Sequence, residues 1–344
     1  MNKIESVIVK VCDACNFNCS YCFEGNKGKN IFTQEKELLS LLKTLEFEDK
    51  VRFRFFGGEM FLYPDRVESI YKEIKKIERY KETQFEFGFI TNGSIVTDKI
   101  IKLFNRNIFT MRNSKISWDG IHSSITRKID KRSSDFDEYM RNNILLLSQW
   151  CGEDVLISMA ILPENIHTLY DSYKFIRKYY NSFEYYLIFD INNLYRYEDK
   201  DFLFTFKQEL KNIFMDYKQW ICQLHNYELF KGTYDYSRCD SLCRQLYIHS
   251  NGDIYSCALL KEMDTFSLSN TKIGSLNDNT LDLFISENIK NNVYLDENSY
   301  CKDCNYKKFC STCPLEKQYF KNHCDHCPIK KLRQVEYEVF SEVV

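Results

Sequence analysis

A strand–helix alternation that repeats six times before residue 228 constrains this chain more than any other feature. Ile4 to Val11 alternates and is β-branched, as a half-buried strand requires. Thr33 to Leu45 carries apolar residues at helical spacing behind Thr33, whose hydroxyl suits an N-cap. Val51 to Phe56, Gln84 to Ile90, Lys115 to Trp118, Val155 to Ile161 and Glu184 to Asp190 read as five more strands. The helical stretches between and after them are Pro64 to Tyr80, Thr97 to Phe104, Phe136 to Trp150, Pro163 to Tyr180 and Asp201 to Tyr227. Such an alternation implies parallel βαβ units with right-handed crossovers. They curl into a barrel or a doubly wound sheet, and in both the chemistry gathers at the carboxyl ends of the strands.

The predicted strand ends carry the chain's most distinctive residues. After the first strand comes Cys15-Asn16-Phe17-Asn18-Cys19-Ser20-Tyr21-Cys22, a C-x3-C-x2-C loop. Thiolates are soft ligands that select iron–sulfur clusters, zinc or copper(I). A cubane cluster takes four cysteines, so three on one loop leave one iron open for chemistry. Cys12, outside that spacing, reads as a small buried residue. The second strand ends at Gly57-Gly58-Glu59, where glycine lets a ligand or backbone come close and Glu59 offers an acceptor for an ammonium group. Thr91-Asn92-Gly93 and Ser117-Trp118-Asp119-Gly120 close the third and fourth strands. Asp119 reads as a turn former, and Thr91-Asn92-Gly93 fits either a turn or a cofactor contact.

Fifteen cysteines in 344 residues need a reason. Met1 to Lys10 lacks the apolar core of a signal peptide, and no uncharged apolar run approaches the roughly 18 residues of a membrane span. The expectation is a cytoplasmic metal protein with no membrane partner, because a reducing compartment disfavours structural disulfides. A net charge of −2 gives no general footprint for nucleic acid. Composition shifts near Tyr236, which divides the chain into residues 1–235 and 236–344. Beyond it lie Cys239, Cys243, Cys257, Cys301, Cys304, Cys310, Cys313, Cys324 and Cys327, with a hairpin signal from Leu246 to Cys257 turning on Asn251-Gly252. A helix near Leu281 to Lys290 and a closing helix from Ile329 to Phe340 complete the reading. A core-poor, cysteine-rich segment is held together by metal, and on spacing alone its C-x2-C pairs suit structural zinc as well as iron–sulfur. Cys151 and Cys222 read as inert buried thiols, and His323 and His326 as solvated loop residues.

The C-x3-C-x-aromatic-C loop resembles that of the radical S-adenosylmethionine (radical SAM) enzymes. The resemblance implies a partial (β/α)6 barrel of the TIM type. Its open iron would chelate SAM, whose reductive cleavage gives a 5′-deoxyadenosyl radical that takes hydrogen from substrate. By the same resemblance SAM is held by Tyr21, Gly57, Gly58, Glu59, Asn92, Ser117 and Arg127. Met60 replaces the proline that usually follows Gly-Gly-Glu. Ser117-Trp118-Asp119-Gly120 with Arg127 resembles the Ser-x-Asp-Gly-Pro…Arg segment of peptide-modifying members, again without the proline, and Lys128 and Arg132 are alternatives to Arg127. Arginine suits the role because its planar fork pairs with carboxylates.

The tail resembles the SPASM extension of that family, which holds two auxiliary 4Fe–4S clusters, for three in all. By analogy one uses Cys239, Cys243, Cys257 and Cys313, and the other Cys301, Cys304, Cys310 and either Cys324 or Cys327. The interval from Cys310 to Cys313, C-x2-C, is one residue shorter than the family's usual C-x3-C. SPASM enzymes modify peptides, installing thioether or carbon–carbon crosslinks in ribosomally made precursors, or mature sulfatases by making formylglycine. In the sulfatase branch an aspartate follows the cysteine of G-x4-C, whereas here Ala258 does, so a precursor peptide is the expected substrate. The first strand starts almost at residue 1, so a separate leader-binding protein is expected, or reading of the peptide by the barrel and tail. A ferredoxin or flavodoxin is the expected electron donor. The competing class is a non-enzymatic zinc-binding interaction protein.

Overall fold

The computed structural model describes residues 3–22, 31–127, 135–152, 154–187, 196–217, 223–224, 226, 244–258, 271–285, 287–288, 303–306, 310 and 326–342. The predicted alternation is present. Strands β1 (Ile4–Lys10), β2 (Phe47–Phe56), β3 (Gln84–Thr91), β4 (Lys115–Ser117), β5 (Leu156–Ile161) and β6 (Ser182–Leu187) pair in sequence order, all parallel. Helices α1 (Glu35–Thr44), α2 (Pro64–Lys81), α3 (Asp98–Asn105), α4 (Phe136–Cys151), α5 (Leu169–Ile176) and α6 (Lys200–Tyr217) follow them in turn. The result is a parallel α/β sheet in sequence order, the arrangement that the predicted partial barrel requires.

Phenylalanine explains why the sheet holds its helices. Strand side chains alternate between faces, and in β2 and β3 the outward positions are Phe53, Phe55, Phe85, Phe87 and Phe89, all buried. Their rings interlock edge to face: Phe89 lies 5.5 Å from Phe104 of α3 and 5.0 Å from Phe109. A fully buried Phe contributes about 1.5–3 kcal/mol. The 27 Phe in the sequence are thus partly accounted for as core. The inward face is polar by contrast, with Arg54, Lys115, Ser117, Ser158 and Glu184 at alternate positions.

Local chemistry sets two of the helix starts. Pro64 occupies the first turn of α2, where its missing N–H costs nothing, and the Thr97 side chain caps α3. Thr33 departs from expectation: α1 starts two residues later, and the Thr33 hydroxyl donates to the Lys10 carbonyl instead. That bond satisfies the end of β1, a tertiary demand that local pattern does not reveal. The helix predicted to run to Tyr227 is described over Lys200–Tyr217, and Gln223 and Leu224, inside the predicted helix, are strand instead. Strand β7 (Gln223–Leu224) then pairs parallel with β6. Asn226 brackets the Tyr185 backbone there, accepting from its N–H at 3.0 Å and donating to its carbonyl at 2.8 Å. The open edge of β6 takes these residues because its backbone groups need partners.

The sheet continues on the far side of β1. Strand β8 (Gln245–Ile248) pairs with β1 in parallel, and β9 (Asp253–Tyr255), β10 (Gly274–Ser275) and β11 (Thr280–Leu281) extend it antiparallel. The predicted hairpin turn is present, with Gly252 at a φ of 93°, a conformation that suits glycine. Thr280 and Leu281 are strand, and helical residues begin at 283. The closing helix α7 (Lys330–Ser341) packs on α6. Among the described residues no helix is long and apolar enough to cross a membrane.

Candidate active site

The cysteine loop leaves the end of β1 and is held from three neighbouring strand ends. From β2, Gly58 N donates to Cys12 O at 2.9 Å and Glu59 N to Ala14 O at 2.8 Å. Gly58 has to be glycine: a Cβ there would stand 2.3 Å from Ala14 O and 2.5 Å from Asp13 O. Gly58→Ala is therefore expected to cost about 1–3 kcal/mol, as overpacking does, and to displace the residue before Cys15. Thermal unfolding and iron content of the reconstituted variant check this, and unchanged values for both would contradict it.

From β3, Asn92 Nδ2 donates to Asn16 Oδ1 at 3.0 Å and lies 3.9 Å from Cys15 Sγ, while Asn16 Nδ2 donates to Ser94 Oγ at 2.8 Å. Thr91-Asn92-Gly93 is thus a support for the cysteine loop as well as a turn. Glu59 ties this strand end to its own. Its fully buried carboxylate accepts from Phe61 N at 3.0 Å, Thr91 Oγ1 at 2.7 Å and Asn92 N at 2.7 Å. Burial pushes this carboxyl upward, and the bonds from Asn92, Thr91 and Phe61 pull it back.

From β4, Asp119 proves to be a hub rather than a simple turn former. It is 0% exposed and accepts four donors: Tyr21 OH at 2.7 Å, Thr126 Oγ1 at 2.6 Å, Arg127 Nη2 at 2.8 Å and Ala160 N at 3.4 Å. Ser20 N also donates to Thr126 O at 2.9 Å. The second half of the cysteine loop is thereby fastened to the segment that supplies Arg127. Arg127 is buried, its Cζ lies 5.9 Å from the Phe17 ring centroid, and its Nε has no hydrogen-bond partner among the described residues. A buried guanidinium with an uncommitted N–H fits an anionic oxygen such as a carboxylate. Ser117 ends β4 on the inner face, half-buried. Lys128 and Arg132 lie outside the described residues.

Cys15, Cys19 and Cys22 are half-buried and in no disulfide. Phe17 N donates to Cys15 Sγ at 3.4 Å, and Cys22 N donates to Cys19 O at 3.2 Å. Burial pushes the Cys15 thiol up to about 11, with the Phe17 N–H working the other way, so metal binding there releases a proton. Among the described residues no group of three or more His, Cys, Asp or Glu side chains is drawn together enough to hold a metal ion. The loop supplies three thiols, the donor type that suits an iron–sulfur cluster, which among the described residues are not drawn into a closed cup. Cys12 is fully buried, and desolvation above all pushes its thiol up to about 12. Cys151 is likewise buried. Both match inert thiols.

The inner face opposite the loop carries two groups that sequence did not single out. Tyr185 packs outward on Phe206 at 5.7 Å, so Tyr186, one residue on, points inward. It pairs in register with Ala160, whose N–H reaches Asp119. The Tyr186 side chain is 36% exposed, and its phenol is pushed up by desolvation and then by Asp119, against the pull of Arg127. Glu184, two residues earlier on the same face, accepts from Ser158 Oγ at 2.6 Å and pairs with Lys115. Alternation along Glu184-Tyr185-Tyr186 was the available signal. Asp190 and Tyr195, candidates by position at the end of the sixth predicted strand for supplying or removing a proton, lie outside the described residues. So do Cys222, Cys239, Cys243, Cys301, Cys313, Cys324 and His323. Cys257, Cys304, Cys310 and Cys327 are described, half-buried and in no disulfide. His326 is exposed and lies 3.0 Å from Glu198.

The model of the radical SAM superfamily matches residues 9–176, from the end of β1 to the end of α5. This chain carries a radical SAM domain. The family implies SAM and a 4Fe–4S cluster as cofactors. A cysteine-type anaerobic sulfatase-maturating enzyme of Clostridium novyi (strain NT) is 26% identical over 352 residues, covering 92% of this chain and 90% of that relative. Native anSMEcpe with bound AdoMet and Cp18Cys peptide matches with a TM-score of 0.74 at 18% identity, over 98% of this chain and 96% of that chain. Streptococcus suis SuiB bound to precursor peptide SuiA matches with a TM-score of 0.59 at 15% identity, over 91% of this chain and 72% of that chain. The shared fold thus extends well beyond the radical SAM domain, into the cysteine-rich segment.

Proposed function

We propose that this chain is a peptide-modifying radical SAM enzyme whose residues 236–344 form a SPASM segment. The observation that carries the proposal is the convergence of the β2, β3 and β4 ends on one thiol loop, facing an inner surface that bears Ser117, Glu184 and Tyr186. In this reading Cys15, Cys19 and Cys22 ligate the SAM-binding cluster. Tyr21, the Gly57-Gly58 backbone, Glu59, Asn92, Ser117 and Arg127 form the SAM pocket. Once bound, the cluster and SAM supply a carbon radical that takes hydrogen from substrate, chemistry that belongs to the cofactor.

The chain's residues orient and enclose. Glu59 has three of its roughly four acceptor sites committed, so its main work is fixing Thr91 and Asn92. Asp119 holds Arg127 in one rotamer and leaves Nε for a carboxylate. Tyr186 meets the substrate, its phenol open to the inner face. Two auxiliary 4Fe–4S clusters, on Cys239, Cys243, Cys257 and Cys313 and on Cys301, Cys304, Cys310 and Cys324 or Cys327, hold the tail. A ferredoxin or flavodoxin supplies electrons.

The proposed substrate is a ribosomally made precursor peptide, brought by a separate leader-binding protein or read by the barrel and tail, and it receives a thioether, a carbon–carbon crosslink or a related modification. The peptides bound in the two solved relatives support a peptide substrate. Maturation of a sulfatase is a second reading, favoured by the Clostridium novyi relative. Against it stands Ala258 beside Cys257, a side chain that takes no proton where the sulfatase-maturing pattern has aspartate.

The test is anaerobic incubation of the reconstituted protein with SAM, reductant and, separately, a peptide encoded beside its gene and a cysteine-containing sulfatase peptide. Loss of a hydrogen pair from the first, read by mass spectrometry, is expected. An unchanged mass with solvent deuterium incorporated would mean epimerisation. Formylglycine in the second would establish the sulfatase reading instead, and no change in either would refute both.

A further inference from the structure

A buried cluster of charged and polar groups outside the proposed SAM pocket joins the cysteine loop to a hairpin far along the sequence. Strand β8 runs beside β1 in parallel register, Ser6 with Gln245 through Val9 with Ile248. The next residues on each strand, Lys10 and His249, therefore stand side by side, and both are buried. Lys10 Nζ lies 3.0 Å from His249 Nε2 and 2.5 Å from Asp13 Oδ1. Ser250 Oγ donates to the same Asp13 oxygen at 2.5 Å, across 237 positions of sequence.

The chemistry of the donors fixes the direction of these bonds. An ion-paired ammonium has donors only, so His249 Nε2 accepts and Nδ1 carries the ring proton. Nδ1 then donates to Asn251 Oδ1 at 2.8 Å, in the hairpin turn itself, the shorter of its two contacts with that residue, whose N–H lies 3.4 Å away. The tautomer is thus set by the turn on one side and by Lys10 on the other. Asp13 is the point of transfer. Its side chain belongs to this cluster, its N–H donates to Ile31 O at 3.1 Å, and it stands two residues before Cys15. The β2, β3 and β4 ends hold the rest of the loop, and the fourth support comes from the C-terminal half of the chain.

We propose that His249 and Ser250 are positioning residues for the Cys15–Cys22 loop, through which the β8–β9 hairpin sets the geometry of the SAM-binding cluster. This rests on the radical SAM reading of that loop but not on the identity of the peptide. Removing the His249 side chain takes away the acceptor at 3.0 Å from the buried Lys10 ammonium, and the Lys10–Asp13 pair shifts toward the acceptors that remain, taking the loop's first residues with it. Glutamine at 249 keeps an amide oxygen able to accept from Lys10, whereas leucine keeps only volume.

The test uses the full chain, reconstituted anaerobically, as His249→Leu, His249→Gln and Ser250→Ala. The readouts are iron content, KM for SAM in 5′-deoxyadenosine release, and the change in the reduced-cluster EPR spectrum on adding SAM. His249→Leu is expected to raise KM for SAM by about 10–100-fold, the usual effect of an outer partner of a metal ligand, and to alter the SAM-dependent spectrum. His249→Gln is expected to recover most of both. If His249→Leu does not fold, Ser250→Ala carries the same test through Asp13. A folded, iron-loaded variant with wild-type KM and spectrum overturns the proposal. A wild-type protein whose spectrum ignores SAM overturns the radical SAM reading of the loop and this inference with it.

Discussion

Replacing Cys15, Cys19 or Cys22 by alanine, one at a time, is expected to end SAM cleavage while leaving the barrel folded. The three thiols are half-buried on a loop, and the loop's backbone bonds to β2, β3 and β4 do not involve the sulfurs of Cys19 and Cys22. Each substitution removes a proposed ligand at little packing cost. Outer partners of metal ligands already cost about 10–100-fold when changed, so loss of a direct ligand should exceed 100-fold. The control is Cys12→Ala, which removes a buried thiol outside the loop spacing and should keep the cluster. Measurement is 5′-deoxyadenosine released per chain alongside iron content. Three alanine variants with wild-type release would remove the loop from the chemistry.

The second large effect falls on Asp119. Asp119→Ala leaves the Arg127 guanidinium, 3% exposed, without its counter-charge, and strips acceptors from Tyr21 and Thr126. Breaking a buried pair by deleting one partner costs about 3–5 kcal/mol, read as a lower denaturant midpoint. Replacing both residues by apolar ones of similar volume, Asp119→Leu with Arg127→Met, should restore much of that stability, because neither charge is then stranded. The double variant should still fail to bind SAM, since the proposed carboxylate partner is gone. Stability and function therefore separate at this pair. A single variant as stable as wild type would contradict the hub described above.

How much of this was legible in sequence follows from the range of the interactions. The six strands, the hairpin on Asn251-Gly252 and the closing helix were readable because each depends on periodicity or turn chemistry within about a dozen residues. The cysteine loop and Gly57-Gly58-Glu59 were readable as motifs, and the need for glycine at 58 has a simple cause in the close approach of Ala14. Asp119 was misjudged because Asp before Gly is a common turn signal, and its partners Tyr21 and Ala160 are 98 and 41 positions away. Lys10 with His249, separated by 239, is invisible until β8 is known to lie beside β1. Thr33 and the pair Gln223–Leu224 failed for one shared reason. In both, an unsatisfied backbone group of a neighbouring strand outbid the local helical pattern.

The most direct test of the central claim is the metal and nucleoside inventory of the wild-type chain after anaerobic reconstitution with iron and sulfide. Three cubane clusters predict about twelve irons per chain, with 5′-deoxyadenosine released when SAM and a reductant are added. Stoichiometric zinc, no iron–sulfur absorption and no 5′-deoxyadenosine would contradict it, and would leave a zinc-bound interaction protein on a borrowed barrel.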